Sequence, residues 1–150
     1  MNETVTIRPV APQDREGWGR LYAGYAAFYM VTQTEEMRER VWSWLMSAEN
    51  GMNGLIAEDG QGRLIGLAHY RPFARPLSAT IGGFLDDLFV DPDARGSGAA
   101  DLLLESLKAE GQKRGWSVIR WITAEDNYRA RKLYDKLAEK TRWVTYDIKL

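Results

Sequence analysis

The stretch Phe84 to Ala100, FLDDLFVDPDARGSGAA, joins a strand to a helix through a turn of small residues. Its first half is apolar and aromatic, as strands are. Asp91-Pro92-Asp93 breaks it, and Arg95-Gly96-Ser97-Gly98-Ala99-Ala100 opens a leucine-rich helical pattern. Small residues at the head of a helix leave backbone N–H groups uncovered, and the helix dipole adds partial positive charge there, which suits a phosphate. Arg95 adds a fixed charge. A tightly packed helix start would read the same way. A Walker loop needs Lys and then Ser or Thr after its last glycine, where this chain has Ala99 and Ala100; a dinucleotide fingerprint needs a third glycine where Asp101 stands.

Outward from this turn the pattern alternates between helix and strand. Upstream, Val5 to Val10 predicts a strand, and Trp18, Leu21, Tyr22 and Tyr25 predict a helix from Asp14. Gly17, Gly19 and Gly24 weaken that helix. Thr32 to Glu35 matches a capping box for a second helix, with Met37, Val41, Trp44 and Leu45 as its apolar stripe, ended by Asn50-Gly51. Leu55–Glu58 and Arg63–Tyr70 predict a hairpin around Asp59-Gly60-Gln61-Gly62, and the prolines in 71–80 predict a loop before the strand 81–90. Downstream come a helix ended by Lys113-Arg114-Gly115, a strand 116–123, a helix from about Asp126, and a closing strand 143–150. The order predicts one domain over residues 1–150, an α/β fold with a mixed sheet flanked by helices.

Composition narrows the function classes. The chain has 150 residues, 45% of them hydrophobic, with six Trp, seven Tyr and four Phe, which argues for a packed core and against disorder. Twenty basic against twenty-one acidic side chains carry no basic field for nucleic acid. No apolar run approaches the ~20 residues of a membrane span. Without cysteine there is neither a disulfide nor a thiolate metal site, and the first residues show no signal-peptide pattern, so a cytoplasmic protein is expected.

Arg95-x-x-Gly98-x-Ala100 after a strand ending Asp87-Leu88-Phe89-Val90 resembles the acetyl-CoA-binding motif of the Gcn5-related N-acetyltransferase superfamily. Asn127-x-x-Ala130-x-x-x-Tyr134 resembles that family's second signature, and the element order agrees across nearly the whole chain. LDDLFVDPDARG, WSVIRWIT and NYRARKLYDKLAEK look like small-amine and histone-type acetyltransferases, including polyamine-acetylating relatives. One departure is Ala138-Glu139-Lys140 where many members carry Gly-Phe.

The resemblance implies a mostly antiparallel sheet that splays between the strands 81–90 and 116–123. It implies acetyl-CoA as acetyl donor without a metal: pyrophosphate on the backbone of Gly96, Ser97, Gly98, Ala99 and Ala100 with Arg95 beside it, and the pantetheine arm along Leu88, Phe89 and Val90. A backbone N–H near Leu88 would polarise the thioester carbonyl, and Asn127 would bind the cofactor arm. It further implies a small-molecule or peptide amine as acceptor, and leaves a homodimer as an expectation.

Acetyl transfer to an amine poses two proton problems: the ammonium must lose a proton, and the thiolate must gain one. Tyr134 is the candidate acid, although its spacing from Ala130 and Leu137 also fits core packing. Asp86 and Asp87, consecutive in a strand, are expected on opposite faces. Asp86 matches the acidic position of the polyamine-acetylating relatives and is the first candidate base; Asp87, His69 or a water relay are the others. His69 shares a strand face with Ile65 and Leu67, where a structural histidine is the plainer reading. Tyr22, Tyr25, Phe28 and Tyr29 pack the core or line an acceptor pocket. Absence of cysteine excludes a cysteine acyl-enzyme. A non-catalytic acyl-CoA-binding module on the same fold is the alternative function.

Overall fold

The computed structural model describes residues 4–150. In chain order the elements are β1 (Thr6–Pro9), α1 (Arg15–Phe28), α2 (Glu35–Ser47), β2 (Asn53–Glu58), β3 (Leu64–Arg75), β4 (Thr80–Val90), α3 (Ala99–Arg114), β5 (Ile119–Arg120) and α4 (Tyr128–Leu137). The sheet order is β1-β2-β3-β4-β5. Its first four strands are antiparallel and β5 joins β4 in parallel, the mixed, mostly antiparallel sheet that was expected.

Alternation along the strands sends apolar side chains to both faces. Trp18 and Leu21 of α1 and Leu45 of α2 cover Ile56, Leu64 and Leu67 on one side. Leu103, Leu104 and Leu107 of α3 cover Leu55, Ala57, Ala68, Tyr70 and Leu85 on the other. Each full burial of such a side chain contributes about 1.5–3 kcal/mol. The glycines of α1 weaken it locally but allow close approach: a Cβ on Gly17 would lie 2.7 Å from Leu64 Cδ1. Among the described residues no helix is long and apolar enough to cross a membrane.

Several boundaries differ from the sequence reading. The cap of α2 is Thr34, not Thr32: its Oγ1 accepts from the Met37 N–H at 3.2 Å. The segment 71–75, expected as loop, continues β3 in a long hairpin with β4. Pro72 is tolerated because β2 ends opposite Tyr70, so its missing N–H falls on an edge with no neighbouring strand. β5 is only Ile119–Arg120, because β4 and β5 pair at Gly83↔Ile119 and Phe84↔Arg120 and then part.

The expected closing strand 143–150 does not form: residues 139–150 join no strand and are all exposed. Gly115, at φ 73°, turns the chain back after α3. Ala138 instead caps α4 in an extended conformation, φ −148° and ψ 176°, and the exposed residues 139–150 follow it.

Candidate active site

The glycine turn forms as its residue types require. Asp91 anchors it: its carboxylate accepts from the Asp93 N–H at 3.0 Å and from Arg20 and Arg63 at 3.1 and 3.2 Å. Gly96 and Gly98 then take φ 85° and 83°, where side chains are strained, and a Cβ at either would meet nothing within 4 Å. The N–H groups of Gly96, Gly98, Ala100 and Asp101 donate to nothing among the described residues, and that of Ala99 is taken by Ser97 Oγ at 3.3 Å. The Arg95 guanidinium makes no hydrogen bond or ion pair among the described residues. Four open donors at the head of α3 with a free arginine beside them fit a pyrophosphate. A cavity of about 530 Å³ flanks the turn, lined by Arg63 and Arg95 but also by Asp59, Asp91 and Asp93, so its mixed charge makes it a poorer anion site than the backbone donors.

The β4 edge leading to this cradle is open. Past Phe84 the parallel pairing with β5 has ended, while pairing with β3 runs on to Val90. The Asp91 N–H donates to Ile65 O at 2.8 Å, toward β3. Backbone groups alternate along a strand, so Leu88 and Val90 turn their N–H and C=O toward the splay. Phe89 does not: its backbone faces β3, and its ring stacks edge-on against Tyr25 at 5.7 Å. Of the three residues expected to bind the cofactor arm, Leu88 and Val90 thus turn their backbone toward the splay and Phe89 does not.

At the other end of the open edge stand the carboxylates. They are not on opposite faces. β3 pairs His69 with Asp87 and Tyr70 with Leu85, so Asp86 is an extra residue in β4, a bulge. Asp87 then meets His69 and Asp86 meets Arg71, two positions apart on one face of β3. Arg71 donates to Asp86 at 3.0 and 3.3 Å. Burial pushes the Asp86 carboxyl above the ordinary range, with Arg71 opposing. Burial also works against ionised Asp87, but hydrogen bonds from His69 and Tyr22 outweigh it and hold that carboxyl below the ordinary range.

His69 is spoken for. The Trp18 indole N–H donates to Nε2 at 2.9 Å and Nδ1 lies 2.8 Å from Asp87. These partners assign the hydrogen to Nδ1. At 2% exposure, with both nitrogens engaged, His69 orients Asp87 and does not reach an acceptor. Tyr22 Oη donates to Asp87 at 2.9 Å, and Tyr25 and Tyr29 continue the aromatic row, with ring centroids 5.9 and 5.0 Å apart along α1. Burial, followed by the Asp87 charge, raises the phenols of Tyr22 and Tyr25 well above the ordinary tyrosine range.

Across the splay, Tyr134 packs edge-on against Trp121 at 5.3 Å. Burial, then the neighbouring Tyr29, pushes its phenol up to about 12, so it carries its proton at neutral pH. Asn127 caps α4, its Oδ1 accepting from the Ala130 N–H at 3.4 Å and its amide donating to Tyr29 Oη at 3.3 Å. It thus ties α4 to α1 across the cleft. The sequence reading missed Arg71, the Trp18–His69–Asp87 chain and the bridging role of Tyr29. Two adjacent aspartates inside an apolar strand were the visible sign of the bulge.

An anion cradle, an opened strand edge with two carboxylates at its far end, and a protonated phenol across the splay are what an acyltransferase using a phosphate-bearing thioester requires. The profile of the acetyltransferase (GNAT) family matches residues 18–138, and the chain belongs to that family: it is an acetyl-CoA-dependent N-acetyltransferase. It is 27% identical over 147 residues to the D-amino-acid N-acetyltransferase HPA3 of Saccharomyces cerevisiae, covering 97% of this chain and 91% of the relative. It is also 27% identical over 144 residues to the uncharacterized N-acetyltransferase YhfO of Bacillus subtilis, covering 95% of each. Among solved structures, a ribosomal-protein-alanine N-acetyltransferase from Brucella melitensis shares its fold at TM-score 0.83 and 24% identity, covering 98% of this chain and 99% of that one. The aminoglycoside N-acetyltransferase AAC(6')-Iy in complex with CoA does so at 0.84 and 20%, covering 99% and 97%.

Proposed function

We propose that the protein acetylates a small primary amine that arrives as a cation, by direct attack on acetyl-CoA. The observation that carries this is the run of one strand past three stations. Asp86 and Asp87 stand at one end, the open N–H groups of Leu88 and Val90 follow, and the cradle at Gly96 to Asp101 lies at the other. Leu88 is two residues from Asp86, about 7 Å along a strand, so thioester and amine meet beside the carboxylates.

The roles follow from the environments. Asp87, held ionised and flanked by Tyr22 and Tyr25, attracts the ammonium and offers it ring faces. Asp86, less buried and of raised pKa, takes the ammonium proton, directly or through water. The free amine forms the N–C bond at the carbonyl, whose developing oxyanion accepts from the Leu88 N–H. The C–S bond breaks, and the thiolate takes its proton from Tyr134, which regains one from solvent. As the intermediate collapses to the amide, the attacking nitrogen gives its remaining extra proton to solvent water. Yeast HPA3, by its name, acts on D-amino acids, which supports a small acceptor over a protein lysine. Arg71 beside Asp86 would hold an acceptor carboxylate in that case.

Release of free thiol from acetyl-CoA across a panel of amines, amino acids of both hands and a lysine peptide tests the reading. Turnover with small cationic amines is expected. Cofactor binding in calorimetry with no thiol release for any amine would establish the non-catalytic module instead.

A further inference from the structure

Beyond Asp86 the β3–β4 hairpin runs on to a tip that the proposed reaction leaves unused. His69 and Arg71 meet the two aspartates, and alternation places Phe73 and Arg75 next on that same face of β3. Arg120 reaches this face from β5: its guanidinium stacks over the Phe73 ring at 5.6 Å, although β4 lies between. Gly82 allows the crossing. It stands opposite Phe73 in β4, and a Cβ there would lie 2.8 Å from the Phe73 ring and 3.2 Å from Arg75 Cδ. Phe84 joins the row, edge-on to Phe73 at 5.9 Å and carrying Arg71 over its face at 5.0 Å.

Charge is unbalanced at this tip. A cavity of about 320 Å³ opens beside Phe73, with Arg75 and Arg120 in its lining and no carboxylate. Arg71 is held by Asp86, and Arg75 by Ser117 Oγ at 2.7 Å. Half-buried Arg120 makes no hydrogen bond or ion pair among the described residues, and stacking on a ring leaves the donors in its guanidinium plane free. Arg120 also marks the fork of the cleft. Its pairing with Phe84 is the last before β4 and β5 part, and Asp86 follows two residues on. From Asp86 back to the level of Phe84 and Gly82 is roughly 7–13 Å at a strand's rise.

We infer that this pocket receives an anionic group at the far end of the acceptor, and that Arg120 selects for it. The acceptor is then an elongated amino carboxylate. Its amine lies beside Asp86 and Asp87, and its carboxylate accepts from Arg120, with Arg75 adding charge. Arg71, nearer the amine, serves a carboxylate close to it; Arg120 serves a remote one. A diamine of the same length brings a second cation against two arginines, so the pocket rejects the polyamines that the sequence resemblance allows. This inference rests on the amine seat proposed beside Asp86. It does not depend on the role of Tyr134 or on which group takes the proton.

Calorimetry on the protein saturated with CoA measures this seat without turnover. The probes are ε-aminocaproate, whose amine and carboxylate span about the shorter of those distances, and glycine, hexylamine and hexamethylenediamine. ε-Aminocaproate should bind about tenfold or more tighter than the other three, the range for a charged hydrogen bond. Arg120→Gln should erase that preference and Arg120→Lys keep part of it. Arg114→Gln removes a charge beside Tyr70 and Trp116 on the opposite face of the sheet and should leave the preference intact. Equal binding of hexylamine and ε-aminocaproate, or a preference that survives Arg120→Gln, overturns the inference. The comparison of probes on the original sequence decides even where Arg120→Gln is unstable. Thiol release from acetyl-CoA with the same four probes separates this failure from that of the proposed function. Preference without turnover sinks the transferase and leaves the anion seat, whereas turnover without preference sinks the seat alone.

Discussion

Gly98→Ala separates the cradle's role in binding from its role in the fold. Gly98 has φ 83°, and a Cβ there meets nothing within 4 Å, so the fold loses only the strain of a left-handed alanine. That strain is about 1–2 kcal/mol, which in a chain of 150 residues lowers Tm by about 2–8 °C. Gly115 provides a matched control: φ 73°, nothing within 4 Å, at the opposite end of α3. Gly115→Ala should lose the same stability and leave donor binding untouched.

At Gly98 the new methyl stands among the open N–H groups of Gly96, Gly98, Ala100 and Asp101. Losing even one charge-assisted hydrogen bond there costs about 1.5–3 kcal/mol, or about 10- to 150-fold in affinity. The readouts are the KM for acetyl-CoA in a thiol-release assay and the donor Kd by calorimetry, both at a temperature where each variant is folded. If Gly98→Ala and Gly115→Ala lose equal stability and bind donor equally well, the pyrophosphate does not sit on this turn.

Tyr134→Phe should lower kcat by about 100-fold or more, the range for loss of a general acid, with the acetyl-CoA KM changed less than about twofold; unchanged turnover returns Tyr134 to packing. Asp86 has a raised carboxyl pKa and acts ionised, so activity falls as pH drops through that value. Asp86→Asn should lower kcat/KM for the amine and remove this acid limb, and a limb that survives assigns it to another group. Asp14 is 5% exposed, and Arg8 holds its carboxyl below the ordinary range. Its stabilising effect is therefore complete above about pH 4 and lost as pH falls through the lowered value. Asp14→Asn should cost about 1–3 kcal/mol at neutral pH and flatten the acid side of a stability curve, and an unchanged curve refutes the assignment.

Local chemistry made much of this site legible. The cradle could be read because Gly96 and Gly98 stand only two positions apart in sequence and the helix after them follows from its leucine spacing. Asn127 and Tyr134 could be paired because seven residues are two helical turns. The strand 71–75 was hidden because Pro72 signals a loop, and the fact that rescues it, an absent β2 neighbour, belongs to a strand nearly twenty residues upstream. The faces of Asp86 and Asp87 were misjudged for a related reason. Alternation holds only in a regular strand, and the bulge is set by the register of β3 against β4.

By itself the sequence determined which segments become helices, where the anion cradle forms, and that a tyrosine follows it on a helix face. These depend on contacts a few residues apart and on backbone freedoms that single residue types confer. Only the tertiary structure decided which carboxylate is shared with His69 and which with Arg71, that Phe89 turns its backbone away from the splay, and that the tail finds no place in its own sheet. Those outcomes rest on pairing between distant strands. Neighbours in space set them, and the linear pattern carries only their traces.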